Sequence, residues 1–161
     1  MENNPDLVGL TTDGMEEWLK NQQAMLLEKA DALCGRFYEE REHYQQRAKA
    51  NRDYKLLGDL GCRARIQSRG GRGIVIEWFR QKYVGEKGNR QAFSTTIKKG
   101  RHNNEYARSK VVLDTTTEWE ARMFDELEPQ FAELRAASRA LGKVSRQLLE
   151  YRKKLAPLGM A

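Results

Sequence analysis

The segment "CRARIQSRGGRGIVIEWF", residues 62–79, decides the kind of fold, because it reads as two extended strands joined by a glycine-rich turn. Its first run alternates arginine with small or apolar residues, and side chains two residues apart in a strand share a face. The arginines are therefore predicted on one face of a sheet and the apolar residues on the other. The first set is Arg63, Arg65 and Arg69, and the second is Cys62, Ala64 and Ile66.

The β-type pattern continues along the middle of the chain. Strand one is predicted over about 62–69, with a turn through "GGRG" at 70–73, and strand two, "IVIEWFRQKYV", is rich in β-branched and aromatic residues. "GEKGNR" at 85–90 is a hairpin signal that precedes strand three, "QAFSTTIKK", which ends at Gly100. A fourth short strand is predicted near 108–113.

A long helix is predicted before the sheet, over residues 13–57. Asp13 is the predicted N-cap with Glu16 in the capping position, and apolar residues recur in steps of three and four. Gly58 is available as a left-handed C-cap. Residues 1–12 are predicted to form a flexible N-terminal tail.

A second long helix is predicted after the sheet, over residues 114–156. Its opening, "DTTTEWE", offers two capping-box patterns, Thr115 with Glu118 and Thr117 with Glu120. Leucines then recur every seven residues, as in a heptad seam. These are Leu127, Leu134, Leu141, Leu148 and Leu155.

The elements together predict an α+β fold, in which two long antiparallel helices, a coiled-coil-like hairpin, flank a small three-stranded antiparallel β-meander. Such a sheet is marginally stable alone, so Trp78, Phe79 and Phe93 are expected to pack against a helix. The leucine seam favours a helix pair within one chain, and a homodimer through the same face stays open as the alternative.

Positive charge is concentrated in the predicted sheet. The chain of 161 residues has 29 lysines and arginines, 23 acidic residues and a net charge of +6. Between Gly61 and Val112, thirteen cations stand against three acids, a local charge of +10. Because the cations come from several segments of one small sheet, we expect them to converge in space on a surface that meets a polyanion.

The basic region, 62–113, is therefore predicted to bind nucleic acid, the alternative being a strand whose outer face is merely solvated. Glycines permit close approach of a backbone to phosphate, while Arg and Asn recognise phosphates and base edges. The pattern does not separate DNA from RNA. The predicted nucleic-acid-binding residues are Arg63, Arg65, Arg69, Arg72, Arg80, Lys82, Lys98, Lys99, Arg101, His102, Asn103, Asn104 and Arg108.

Catalysis, metal binding and a membrane partner are not expected. The two histidines, His43 and His102, lie in no HxH, HExxH or Cys/His pattern, so no metal or cofactor is predicted. Cys34 and Cys62 lack CxxC spacing, which favours reduced thiols in a cytoplasm. No apolar stretch approaches the roughly 18–20 residues that cross a bilayer.

Several motifs in residues 74–155 resemble the MobI family of conjugative transfer proteins, which integrative conjugative elements and conjugative plasmids encode. They are the strand "IEWFR", the segment "FSTTIKKGR" and the helix opening "WEARMF". In the family the second segment continues G-R-G-H-R-Y-P, whereas this chain has Gly100, Arg101 and His102 followed by "NNEYA". The departure implies a different origin specificity.

The resemblance implies an auxiliary DNA-binding factor that binds double-stranded DNA at the origin of transfer and assists the relaxase in a relaxosome. We expect it to need no cofactor and to catalyse no reaction. The alternative is a coiled-coil adaptor whose basic sheet meets an acidic protein surface. An RNA-binding regulator is a third reading of the same charge pattern.

Overall fold

The computed structural model describes residues 11–68, 72–86, 88–100 and 104–160. The predicted α+β fold is confirmed, since two long helices flank a three-stranded antiparallel sheet. Short 3-10 turns follow the two long helices, at Tyr54–Leu56 and Ala156–Leu158. The regular elements in chain order are α1 (Thr12–Asn51), β1 (Leu60–Ile66), β2 (Ile74–Val84), β3 (Gln91–Thr96), α2 (Arg108–Val111) and α3 (Glu118–Leu155).

Both predicted ends of α1 are wrong. The N-cap is Thr11, whose Oγ1 accepts the N–H of Gly14 at 3.1 Å, and Asp13 lies in the first turn. The helix ends at Asn51 rather than at 57, and Arg52 takes the left-handed conformation in place of Gly58. Ala48 is the last buried residue of α1, and the residues that follow it in the helix, 49–51, are exposed. Of the predicted tail, 1–12, the first ten residues lie outside the described part of the chain.

The sheet has the order β1-β2-β3 with antiparallel pairing throughout. β2 has its predicted bounds, whereas β1 begins at Leu60 and ends at Ile66, and β3 ends at Thr96. The fourth strand predicted near 108–113 is wrong, because that stretch contains the short helix α2.

One face of the sheet packs on the helices and forms the core. Trp78 is fully buried there, and its ring centroid lies 5.2–5.7 Å from those of Phe37, Phe124 and Phe131. The expectation for the other two aromatic residues is wrong. Phe79, on the opposite face of β2, lies beneath an arginine, and Phe93 is half exposed, because β3 is exposed along its whole length.

The two long helices run antiparallel, as the ion pairs between them show. All five leucines of the predicted seam are buried, and Leu19 of α1 packs with Leu141 and Leu148 of α3 in a second, smaller cluster. The coiled-coil form of the pair stays a prediction. The interhelical pairs are Arg36 with Glu126, Arg122 with Glu40, and Arg152 with Asp13 and Glu16.

Side chains of α3 complete the sheet where β3 does not reach. β3 pairs with the second half of β2, Phe79–Val84. Along the first half, Ser138 Oγ accepts the N–H of Ile74 at 2.8 Å and donates to its carbonyl oxygen at 3.3 Å. Arg135 Nε donates to the carbonyl oxygen of Ile76 at 3.0 Å. A helix is thus fastened to the edge of the central strand.

Candidate nucleic-acid interface

The outer face of the sheet carries the arginines of β1, as the alternation predicts. Arg63 and Arg65 pair across the strands with Glu77 and Val75, while Cys62 on the opposite face is fully buried. We call the set Arg63, Arg65, Glu77, Phe79 and Thr96 the arginine face. Ala64 is partly buried against the core, as the prediction requires, and Ile66 lies on the same side of β1 but is half exposed near the strand end.

The guanidinium of Arg63 is held in place by three neighbours. Its Nε donates to Glu77 Oε1 at 2.6 Å, an Nη donates to Thr96 Oγ1 at 3.2 Å, and its centre lies 5.0 Å from the ring centroid of Phe79. Arg65 lies farther from the same carboxylate, at 3.7 Å, and 49% of its side chain is exposed. The guanidinium groups of Arg63 and Arg65 therefore share one carboxylate, so these three side chains together carry a net positive charge.

The distal half of the β2–β3 hairpin is exposed beyond its base, where Arg80 and Gln81 contact other parts of the chain. We call it the ribbon, residues 80–84 and 91–95. Lys82 pairs with Phe93 and Tyr83 pairs with Ala92, and all four are exposed. Arg41 of α1 donates to Gln81 Oε1 at 3.3 Å, which brings a further cation to the base of the ribbon. A two-stranded ribbon of this kind fits the major groove of DNA.

A second group of the predicted residues lines a cavity of about 620 Å³ between the start of β2 and α3. We call it the α3 cavity. Arg72, Lys99 and Asn104 come from three separate stretches of the basic region and meet there, as the expected convergence requires. Sequence reasoning missed the contribution of α3, which adds arginines to the same lining. They are Arg135, Arg139 and Arg146.

Like charges crowd the α3 cavity. Burial lowers the pKa of the Lys99 ammonium group, and the nearby guanidinium groups of Arg135 and Arg139 lower it further. An anion placed among these groups would relieve both the repulsion and the cost of burying the lysine charge. The cavity is therefore an electrostatically favourable place for a negatively charged group.

Two other predicted residues bind protein groups within this chain. Arg80 pairs with Asp59 and donates to the carbonyl oxygen of Val111 at 2.6 Å and to Thr116 Oγ1 at 2.9 Å. Arg108 binds both carboxylate oxygens of Asp125, at 2.8 and 3.1 Å. We therefore leave both arginines out of the proposed contact surface. Lys98 is exposed just beyond β3 and does not line the α3 cavity.

Four more predicted residues, Arg69, Arg101, His102 and Asn103, lie outside the described residues. Their assignment to the interface stays a prediction, as does the nucleic-acid contact of every residue in the set.

A buried ion pair behind the α3 cavity also escaped the sequence reasoning. Arg135 binds both carboxylate oxygens of Glu128, at 2.7 and 3.2 Å, and both side chains are over 90% buried. Glu128 also accepts the indole N–H of Trp78 and the backbone N–H of Tyr106, each at 2.7 Å. In sequence, the two residues look like any charged pair on an exposed helix face.

The described residues contain no cluster of three or more His, Cys, Asp or Glu that could hold a metal ion. Both cysteines are buried, and neither forms a disulfide bond in the structure. In the described ranges, neither long helix is apolar over a stretch long enough to cross a membrane.

A family model described as "MobI protein" matches residues 26–149, which is more than half of the chain. The match begins inside α1 and ends inside α3, so it includes the arginine face, the ribbon and the α3 cavity. No curated protein and no solved structure matches the chain.

Proposed function

The chain belongs to the MobI family and hence to the proteins of conjugative mobilisation, and we propose that it is an auxiliary DNA-binding factor of the transfer machinery. It acts in the cytoplasm, where it binds double-stranded DNA at the origin of transfer and assists the relaxase, and it catalyses no reaction itself.

The observation that carries the proposal is an exposed sheet surface with positive charge and a projecting ribbon. The arginine face and the ribbon belong to one continuous sheet, since Thr96 of β3 pairs with Phe79 of β2 next to Arg63. Cations on such a surface neutralise phosphates, and a ribbon that enters a groove reaches base edges. Membership of a conjugative mobilisation family supports the choice of DNA rather than RNA as the partner.

The parts of the surface divide the work of recognition. Arg63, which is already oriented by Glu77 and Phe79, loses little freedom when it meets a phosphate. Arg65 on the arginine face and Lys82 on the opposite face of the ribbon are both exposed. Together they supply phosphate contacts on the two sides of a ribbon that enters a groove. The long helices hold the sheet and offer a surface for the relaxase.

The decisive experiment is a salt-titrated binding assay that compares an origin-of-transfer duplex with a scrambled duplex of equal length. We expect the native chain to prefer the origin duplex. In an Arg65→Gln/Lys82→Gln variant we expect affinity to fall about tenfold or more, and the slope of log K against log salt to become shallower by about 0.9 for each lost phosphate contact.

A matched control removes the same charge elsewhere. Lys20 and Lys29 are exposed on α1, away from the sheet, so Lys20→Gln/Lys29→Gln should leave the salt dependence close to that of the native chain. Equal losses in the two double variants would contradict the proposed surface and leave only a non-specific effect of net charge.

The adaptor alternative gains support from exposed apolar side chains on the paired helices. Trp18 and Met25 of α1 and Tyr151 of α3 are each more than half exposed. If both duplexes bind weakly and equally while the relaxase alone forms a stable complex with the chain, the adaptor function replaces the DNA-binding one.

A further inference from the structure

The α3 cavity lies apart from the arginine face. Ile74 and Ile76, which form part of its lining, point to the helix side of the sheet, whereas Arg63 and Arg65 point to the other side. A ligand of the α3 cavity and a duplex on the arginine face would therefore not compete for the same side chains. We propose that the α3 cavity binds a phosphate ester of nucleotide size.

The lining of the α3 cavity is positively charged, so it favours an anionic ligand. Arg72 comes from the turn before β2, Lys99 from the segment after β3, and Arg139 and Arg146 from α3, so several parts of the chain build one cationic site. Among the described residues that line the cavity, none is acidic. Two of the lining arginines have acidic partners that do not line the cavity, since Glu128 binds the buried Arg135 and Glu16 lies 3.8 Å from Arg72.

The volume of the α3 cavity and its apolar walls indicate that the ligand carries an organic group besides the phosphate. A cavity of about 620 Å³ falls within the roughly 300–1,000 Å³ of small-molecule sites and far exceeds the needs of an inorganic anion. Ile74 and Leu149 supply apolar surface on opposite sides. Gly142 keeps the space open, since a Cβ atom there would meet no atom within 4 Å.

One lining residue, Asn104, has a side-chain oxygen without a hydrogen-bond donor. Among the described residues, Asn104 Oδ1 is the buried side-chain acceptor that lacks a hydrogen-bond partner, and Asn104 lines the α3 cavity. An unpartnered buried acceptor costs free energy, and a rotation of the Asn104 amide toward the cavity would let a ligand N–H remove that cost. Nucleobases carry such amino groups, so a nucleoside phosphate matches the anionic, apolar and donor requirements together.

Calorimetric titration with a mononucleotide, with inorganic phosphate and with the unphosphorylated nucleoside tests the proposal. We expect the mononucleotide to bind most tightly. An Arg139→Gln/Arg146→Gln variant should weaken it at least tenfold, and Gly142→Met, which fills the space without changing charge, should abolish it.

The matched control is Lys143→Gln/Lys153→Gln, which removes two exposed charges from the same helix outside the cavity. We expect this variant to bind the mononucleotide like the native chain, with circular dichroism confirming that all the variants are folded. Equal loss in both double variants, or phosphate binding as tight as mononucleotide binding, overturns the proposal.

A second arm separates two sources of the same chemistry. A single-stranded oligonucleotide with a 5′-phosphate is compared with its 5′-hydroxyl form. Tighter binding of the phosphorylated strand than of its 5′-hydroxyl form identifies a DNA strand end as the source, and no difference between the two strands identifies a free nucleotide. Because the origin-duplex assay relies on Arg65 and Lys82, failure here leaves the proposed DNA-binding function untouched.

Discussion

At the scale of single residues, Glu128 and Arg135 hold three parts of the molecule together. The carboxylate accepts hydrogen bonds from β2, from the segment before α2 and from Arg135. Arg135 in turn donates to the carbonyl oxygens of Ile76 and Asn104 and lies 4.8 Å from the ring centroid of Tyr106. Such a pair gives little net stability over an apolar pair, but removing one partner leaves a buried charge alone.

We predict that Glu128→Gln lowers the free energy of unfolding by about 3–5 kcal/mol, because the Arg135 charge loses its counter-charge in the interior. Urea denaturation followed by circular dichroism measures the change. The exposed Glu133 on the same helix offers a control, and Glu133→Gln should change the free energy by less than about 0.5 kcal/mol. Similar small losses in both variants would mean that Arg135 finds another partner.

Residue patterns predicted the arginine face and missed this pair for one physical reason. The alternation from Cys62 to Ile66 follows from strand geometry alone, since successive side chains must point to opposite faces. The roles of Arg80, Arg108 and Arg135 depend instead on which acidic groups and carbonyl oxygens the tertiary fold brings near them. Counting the cations in the sequence therefore overestimates how many of them are available to contact a ligand.

At the scale of elements, the start of α3 links the helix to the sheet. Thr117 Oγ1 accepts the N–H of Glu120, and the Glu120 carboxylate accepts the N–H of Thr117, which selects this capping box over the one at Thr115. The same carboxylate accepts the N–H of Leu60, the first residue of β1, at 2.7 Å. Gly58 is required nearby, since a Cβ atom there would lie 1.9 Å from Glu120.

Thr117→Ala should lower the free energy of unfolding by about 1 kcal/mol through loss of the cap. Thr115→Ala is the matched control, because Thr115 is exposed and precedes the helix, and we expect less than about 0.5 kcal/mol from it. Thermal or urea unfolding of the two variants decides between the two caps, and a larger effect at Thr115 would reverse the assignment.

The sequence offered this capping box as one of two candidates but did not predict the end of α1, because a cap depends on neighbouring residues and the helix end depends on distant ones. A capping box is complete within four residues, so its pattern identifies it. The end of α1 depends on distant groups, because the indole N–H of Trp119 donates to the carbonyl oxygen of Leu56 and holds the chain after Asn51 against α3. Asp53 helps locally by accepting the N–H of Lys55.

At the scale of the whole molecule, the core joins α1, the sheet and α3 in one cluster, and both cysteines lie in it. Cys34 belongs to α1 and Cys62 to β1, so neither thiol can be reached while helix and sheet stay packed. The packing of α1 and α3 on the sheet could be predicted from the sequence only in outline. The sequence indicated which helix and sheet faces are apolar, but not which positions meet.

We predict that both thiols react with a disulfide reagent only after the packed structure opens. The rate should be very low in buffer and should rise with urea in parallel with the unfolding equilibrium, since exposure requires global opening. Ala24 is exposed on α1, so a cysteine introduced by Ala24→Cys serves as a rapidly reacting reference. Fast reaction of the native chain in buffer would mean that α1 separates from β1 locally.

The Ser138 hydroxyl and the Arg135 guanidinium, which bind α3 to β2, also affect whether copies of the chain can associate through the edge of the sheet. A strand edge with unpaired N–H and C=O groups is a template on which another chain can add a strand. Ser138 binds the N–H and the C=O of Ile74, and Arg135 binds the C=O of Ile76. The protein's own helix thus stands where a strand of a neighbouring molecule would otherwise dock, which guards this part of the sheet against aggregation by edge pairing.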